Sequence, residues 1–104
     1  MWSLGFLQRV SQRDTARFVA LVEGRVQGVG FRFFVRSRAE GLHLTGSVRN
    51  MPHQSVRVEA EGPRKALEAL IEDLRNGPPG ARVERVDVEW VPPTGAKQFR
   101  IEMG

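Results

Sequence analysis

Nine residues near the start of the chain combine glycines with an arginine in a spacing suited to anion binding. The run GRVQGVGFR, from Gly24 to Arg32, follows an apolar, β-branched segment and precedes a helical pattern. This order predicts a strand, a glycine-rich turn and the start of a helix. Such a turn directs several backbone N–H groups at one point, and the helix N-terminus adds the positive end of its dipole. The predicted ligand is a small, dense anion such as phosphate.

Three residues of this run carry the prediction. Gly28 and Gly30 can take the positive φ angles that a concave group of amides requires. Arg32, in the first turn of the predicted helix, has a planar fork of donors that matches phosphate oxygens. The alternative is an ordinary strand-to-helix turn with a solvated arginine, and these residues alone do not decide between the two. The predicted phosphate-binding residues are Gln27, Gly28, Val29, Gly30, Phe31 and Arg32.

The glycine spacing excludes two common nucleotide-binding loops. The pattern is Gly-x-x-x-Gly-x-Gly, which differs from the Gly-x-Gly-x-x-Gly of dinucleotide-binding folds. No Gly-Lys-Ser/Thr closes the loop, as it would in a P-loop. A chain of 104 residues has room for one domain, which also argues against both nucleotide-binding folds.

Composition narrows the possible functions further. The chain has no cysteine, which excludes disulfides, thiolate zinc sites and thiol nucleophiles. Its net charge of +4 favours an anionic ligand without choosing between a small and a polymeric one. No stretch of the sequence is apolar for long enough to span a membrane. The lack of cysteine is compatible with the reducing cytosol. We expect a cytoplasmic protein with no membrane partner.

Residues 1–16 are predicted to be an N-terminal extension of unknown role. They lack the basic start, the uninterrupted apolar core and the cleavage site of a signal peptide. A frayed or disordered extension, a short amphipathic helix and an upstream start-codon artefact all stay open as interpretations. Residues 17–104 are predicted to form a single domain.

Hydrophobic periodicity predicts the order βαββαββ for that domain. Gly41 is predicted to be the C-cap glycine of the first helix, and Pro63 to open the second. Single apolar stripes on both helices and alternating strands indicate a ferredoxin-like α+β sandwich, an antiparallel sheet with both helices on one face. The predicted strands cover 18–26, 44–50, 55–61, 82–91 and 99–103, and the predicted helices cover 31–42 and 63–76.

Two segments resemble the signature sequences of the acylphosphatase family. The first is GRVQGVGFR, and the second, Gly46 to Asn50 (GSVRN), follows the first predicted helix. Residues 61–63, 77–83 and 99–101 also fit the family, so the resemblance covers about 17–103. It implies the same two-helix sandwich and the hydrolysis of acyl phosphates to a carboxylate and inorganic phosphate. It further implies that neither metal nor cofactor takes part, and we expect a monomer.

The resemblance assigns catalysis to Arg32 and Asn50, which close the two segments. Hydrolysis of an acyl phosphate requires charge neutralisation at the phosphoryl oxygens and a water held in line with the leaving oxygen. Arg32 and the loop amides suit the first task, and the amide of Asn50 suits the second. On its own, Asn50 is more typical of a strand-end turn, and the water-positioning role depends on its pairing with the first segment. His43 and His53 are the remaining candidates for a general base, and the resemblance gives neither a role.

The sequence departs from the family pattern at two places. Ser47 stands where the family usually has tryptophan, and the hairpin after Asn50 lacks its usual glycine, with His53, Gln54 and Ser55 instead. Neither change removes a group that would contact phosphate. Both are expected to affect how firmly Asn50 is held.

Two other functions fit the sequence less well. The run from Gly30 to Val35 resembles the aromatic motif of RNA-recognition modules, which share the ferredoxin-like layout. Because it falls at a predicted helix start rather than on a central strand, we do not expect nucleic acid as the ligand. The second alternative is the acylphosphatase-like segment of larger carbamoyl-transfer maturation proteins, which continue into cysteine-rich zinc modules that this chain lacks.

Overall fold

The computed structural model describes residues 15–103, which form one sheet and two helices. The strands are β1 (Thr15–Arg25), β2 (Thr45–Asn50), β3 (Val56–Pro63), β4 (Arg82–Val91) and β5 (Phe99–Glu102). The helices are α1 (Phe31–Gly41) and α2 (Arg64–Asn76), and a short 3-10 turn, Pro52–Gln54, joins β2 to β3. The predicted order βαββαββ is confirmed. Thr15 and Ala16 belong to β1, and the rest of the extension predicted over 1–16 lies outside the described residues.

The sheet has the strand order β4-β1-β3-β2-β5. Its neighbours are antiparallel as predicted, except that β5 runs parallel to β2, with Phe99 opposite Gly46. The sheet is therefore mixed. The reason is that the chain leaves β4 at one edge, crosses to the other edge and enters β5 at the end of the sheet where β2 also begins.

This topology determines where a site can form. Because β1, β2 and β5 run in the same direction, their last residues, Arg25, Asn50 and Glu102, lie at one end of the sheet. We call this the upper end, and the opposite end, where these strands begin, the lower end. The loop into α1 also leaves from the upper end, because it follows β1 directly.

The core lies between the sheet and the two helices, as the periodicity predicts. On β1, Phe18, Ala20 and Val22 are buried in alternation, and they share one apolar cluster with the buried stripes of both helices. The helical members of this cluster are Phe31, Val35 and Ala39 on α1 and Leu67, Leu70, Ile71 and Leu74 on α2. Phe31 and Val35 therefore pack inside the protein, which argues against an exposed aromatic strand of the RNA-binding kind. Within residues 15–103, neither helix is long and apolar enough to cross a membrane.

The lower end carries a network of paired charges. The buried carboxylate of Glu61 accepts hydrogen bonds from the backbone N–H groups of Thr94 and Gly95, each at 2.8 Å, and from the Thr94 hydroxyl at 3.0 Å. Arg17 donates to Glu61 at 3.3 Å and also pairs with Glu59. Burial alone raises the pKa of Glu61, but these hydrogen bonds outweigh burial and hold that pKa below its ordinary value. The network fixes the loop between β4 and β5 to the sheet.

The end of α1 differs from the prediction. Gly41 is the last helical residue, and the left-handed residue of the cap is His43, with a φ of 58°. The N–H of His43 bonds to the carbonyl of Glu40 at 3.0 Å, and that of Leu44 bonds to Ala39 at 2.8 Å. These two bonds form a Schellman motif, in which the left-handed position lies two residues after the last helical one. Sequence reasoning placed the cap at the glycine because glycine adopts this conformation without strain.

Candidate active site

The loop between β1 and α1 has the backbone geometry that the glycines predict. Gly28 and Gly30 have φ angles of 75° and 76°, both left-handed. A Cβ added at either position would meet no described atom within 4 Å, so the space beside this backbone is open. Gly30 is the N-cap of α1, and no side chain among residues 15–103 caps that helix. The N–H groups of its first turn are therefore free to bind an anion.

Arg32 lies in this first turn and is held by a strand end. Its Nη1 donates a hydrogen bond to the backbone carbonyl of Glu102 at 3.4 Å, at the upper end of β5. No carboxylate of the described residues forms an ion pair with it. The guanidinium is thus oriented by a neutral group while its charge stays available to a ligand.

Asn50 ends β2 and has an unusual environment for its side chain. Its Oδ1 is buried and has no hydrogen-bond partner among residues 15–103. Buried polar atoms in proteins nearly always have a partner, so an exception calls for an explanation. An acceptor held without a protein donor can receive a hydrogen bond from water or a ligand.

A cavity of about 100 Å³ brings the predicted site residues together. Its volume is on the order of a few water molecules, taking about 30 Å³ for each. The side chain of Phe33 lines this cavity and is 62% exposed, a feature that the sequence did not single out. Gln27 and Val29 do not line it, although both were predicted to contact phosphate. The lining residues are Val26, Gly28, Gly30, Phe31, Arg32, Phe33 and Asn50.

A larger cavity, of about 430 Å³, lies on the helix-free face towards the lower end. Arg17, Glu59 and Ser47, the position where the family usually has tryptophan, contribute to its lining, whereas Arg32 and Asn50 do not. Despite its size, it is lined neither by the loop between β1 and α1 nor by a residue with an unpartnered acceptor. The smaller cavity is therefore the better candidate for phosphate chemistry.

The two histidines lie apart from this smaller cavity. His43 follows the C-terminus of α1, a helix about 16 Å long whose first turn carries Arg32. His53 is an exposed residue of the turn between β2 and β3 and does not line the cavity. No cluster of three or more metal-ligating side chains occurs in the part of the chain that the structure describes.

The side chain of Gln27 has a function that sequence reasoning missed. Its Nε2 donates to the backbone carbonyls of Met51 at 2.9 Å and Ser55 at 2.8 Å. These two bonds therefore connect the loop between β1 and α1 to the turn that follows Asn50. The sequence alone places these segments more than twenty positions apart, and only the pairing of β1, β3 and β2 brings them together.

Comparisons with known proteins agree with the fold. The acylphosphatase family model matches residues 18–101. An acylphosphatase of Salinibacter ruber is 61% identical over 74 residues, which cover 71% of this chain and 78% of the relative. An acylphosphatase of Thermus thermophilus is 49% identical over 85 residues, covering 82% of this chain and 97% of the relative.

A solved structure extends the agreement to three dimensions. The acylphosphatase from Coxiella burnetii superimposes with a TM-score of 0.85 at 38% identity, covering 88% of this chain and 97% of that one. Both signature segments, the fold and the sequence relatives thus indicate one assignment. This chain belongs to the acylphosphatase family.

Proposed function

We propose that this acyl phosphate hydrolase acts by direct attack of water on phosphorus, with Arg32 and the loop amides holding the phosphoryl group and Asn50 placing the water. The observation that supports the proposal is the shared cavity, which Arg32 and Asn50 both line beside the open backbone of Gly28 and Gly30. Arg32 has no carboxylate partner among the described residues, and the Asn50 Oδ1 has no hydrogen-bond partner there. In the proposed reaction, the oxygen of water forms a bond to phosphorus while the bond from phosphorus to the acyl oxygen breaks. The products are a carboxylate and inorganic phosphate.

The phosphoryl group would lie against the start of α1. Charge on its oxygens is neutralised by Arg32, and the N–H groups around residues 27–31 add further donors. The carboxylate is already a good leaving group, so strong protonation of it is not required. Preorganised donors of this kind supply electrostatic stabilisation with no general acid in the cavity.

Asn50 would bind the attacking water through its free Oδ1. An acceptor fixed at a strand end can orient one water proton and hold the oxygen in line with the leaving group. Because the water is already held in an orientation close to that of the transition state, the entropy cost of reaching the transition state is smaller. No histidine is needed as a base in this scheme.

Hydrolysis in water labelled with ¹⁸O tests the proposal. With an aromatic acyl phosphate as substrate, attack on phosphorus places the label in inorganic phosphate, and attack on the acyl carbon places it in the carboxylate. Mass spectrometry of the products separates the two. We expect label in phosphate, and unchanged turnover when a metal chelator is present. Label in the carboxylate, or activity that vanishes with chelator and returns with a divalent metal, would overturn the mechanism.

The oligomeric state and location are further proposals. We propose a cytoplasmic protein that acts as a monomer, since one chain already brings Arg32, Gly28, Gly30 and Asn50 to one cavity and the proposed mechanism requires no second copy. Light scattering after gel filtration checks the mass, and a dimer that alone is active would contradict the monomer.

A further inference from the structure

The side-chain amide of Gln27 acts as a clamp: it links the phosphate-binding loop, which is the loop between β1 and α1, to the turn that follows Asn50. Both hydrogens of its Nε2 are used, one on the carbonyl of Met51 at 2.9 Å and one on that of Ser55 at 2.8 Å. Both partners are acceptors, so only the nitrogen of the amide can fill this position. Ser55 also accepts from the N–H of Met51 at 2.8 Å, which closes the turn. The clamp thus spans both ends of the turn.

The turn needs such an external contact because its own backbone is strained. His53 and Gln54 both have a φ of 64°, in the left-handed region that favours glycine. Non-glycine residues in this region persist only where the surroundings impose them. Apart from the Met51–Ser55 bond, the turn has a bond from the Ser55 hydroxyl to the carbonyl of Pro52 at 3.2 Å. The Gln27 amide therefore supplies a direct polar link from the phosphate-binding loop to this turn.

The phosphate-binding loop depends less on the clamp. It runs directly out of β1 and is continued by α1, whose first helical hydrogen bond, from Phe34 to Gly30, is 3.0 Å long. Asn50 has no such support for its side chain, since its Oδ1 has no partner in the described chain. Its orientation must come from its own backbone, and Met51, which Gln27 holds, is the next residue.

We propose that Gln27 is a positioning residue, which holds Asn50 in register with the phosphate-binding loop through its bonds to Met51 and Ser55. This inference rests on the proposed function of Asn50 and adds the element that orients it. The side chain of Gln27 does not itself contact the substrate. Its removal is expected to misplace the attacking water while leaving phosphate binding intact.

A double-mutant cycle tests this assignment. Gln27→Met keeps the length and volume of the side chain but removes both donors. We expect kcat to fall by about 10- to 100-fold, as small misplacements near a reacting centre do. The inhibition constant for inorganic phosphate should stay within about twofold of the wild-type value, because the proposed bonds of Gln27 orient Asn50 and not the groups that bind phosphate. In an Asn50→Ala background, the same substitution should change kcat by no more than about twofold, because the residue on which it acts is gone.

The matched control is Gln98→Met, the same substitution on the exposed loop before β5, which should leave kcat unchanged. Gln27→Leu serves as a second variant if Gln27→Met unfolds, and the thermal midpoint of each protein confirms that it is folded. An equal loss of kcat with and without Asn50, or a large loss of phosphate affinity, would show that Gln27 acts on the phosphate loop and would overturn the inference. So would a Gln27→Met enzyme with wild-type kcat. Failure of the proposed function itself is seen separately, as an Asn50→Ala enzyme that keeps its kcat.

Discussion

The two ends of the sheet differ in whether their buried polar groups have hydrogen-bond partners. At the lower end, Glu61 accepts bonds from Thr94, Gly95 and Arg17, and its carboxylate is satisfied. At the upper end, the buried Nε of Arg49 and Oδ1 of Asn50 have no partner among residues 15–103. Leaving a buried polar atom unsatisfied costs about 1–3 kcal/mol. The lower end thus has its buried carboxylate fully hydrogen-bonded, whereas two buried polar atoms at the upper end have no partner among residues 15–103.

Backbone strain adds to this contrast. The turn at the upper end holds His53 and Gln54 in left-handed conformations, each costing on the order of 1 kcal/mol or more. Strain of this kind concentrates at functional sites because the surrounding structure can impose it. The comparison therefore predicts that substitutions at the upper end change activity and those at the lower end change stability.

The largest effect is expected at Arg32. Arg32→Ala should reduce turnover by on the order of 10³-fold or more, as for charge-stabilising arginines in phosphoryl transfer. Arg32→Lys should restore little, because an ammonium cannot reproduce the planar fork of two parallel donors. Steady-state kinetics with an aromatic acyl phosphate measure both.

Arg38→Ala is the matched control for Arg32, since Arg38 is exposed on the same helix and does not line the cavity. It should retain wild-type turnover. An Arg32→Lys enzyme with a rate near that of wild type would show that the planar guanidinium of Arg32 is not essential for catalysis.

Asn50 should have the next largest effect. Asn50→Ala is expected to lower kcat by about 10²–10³-fold, the typical loss for one preorganised hydrogen-bonding group at a reacting centre. Asn50→Asp should be no better, because it replaces the amide with a negative charge beside an anionic substrate. Asn76→Ala, at the exposed end of α2, is the control for the substitution. An active aspartate variant would indicate a carboxylate acting as a base and would refute passive water positioning.

A substitution at the lower end should show the opposite behaviour. Glu61→Gln removes the charge from four hydrogen bonds and is expected to cost about 1–3 kcal/mol of the free energy of unfolding. Its kcat should stay close to wild type. Urea denaturation and steady-state kinetics measure the two quantities, with Glu68→Gln on the exposed face of α2 as the control. Loss of activity in a folded Glu61→Gln enzyme would contradict the expectation that substitutions at the lower end change stability and not activity.

The pH dependence of this effect has a definite sign. Because the folded pKa of Glu61 lies below its ordinary value, its contribution is present above the unfolded pKa of about 4.3 and is lost as the pH falls through the folded pKa. The difference in stability between wild type and Glu61→Gln should therefore be constant near neutral pH and shrink in acid. A difference that grows in acid would be incompatible with this pKa shift.

The smallest effect is expected at the strained turn. Gln54→Gly should stabilise the protein by on the order of 1 kcal/mol, because glycine adopts a φ of 64° without the clash of a Cβ. Gln98→Gly, at a position without positive φ, should instead be neutral or slightly destabilising, since glycine adds freedom to the unfolded chain. Urea midpoints compare the two. No difference between them would mean that the turn stores no strain.

The features that sequence could predict are those set by local periodicity. The order of elements was predicted from the apolar run of β1, the alternating residues of β3 and β4, and the apolar stripes of α1 and α2. Gly28 and Gly30 have the predicted positive φ angles. The parallel pairing of β5 was missed because a strand's partner depends on the path of the whole chain. The bonds of Gln27 were missed for the same reason, since its partners Met51 and Ser55 are distant in sequence. His43 at the helix cap was missed because glycine was expected at the left-handed position, although the bonds that set it are local.

In the proposed mechanism, Arg32 binds the phosphate and Asn50 places the water. Titration of inorganic phosphate into wild type, Arg32→Ala and Asn50→Ala, followed by calorimetry or ³¹P NMR, tests this division most directly. We expect phosphate affinity to be largely lost in Arg32→Ala and kept in Asn50→Ala, although both variants have lost turnover. Equal loss of phosphate affinity in the two variants would contradict it, because both residues would then hold the phosphate and neither would be reserved for water.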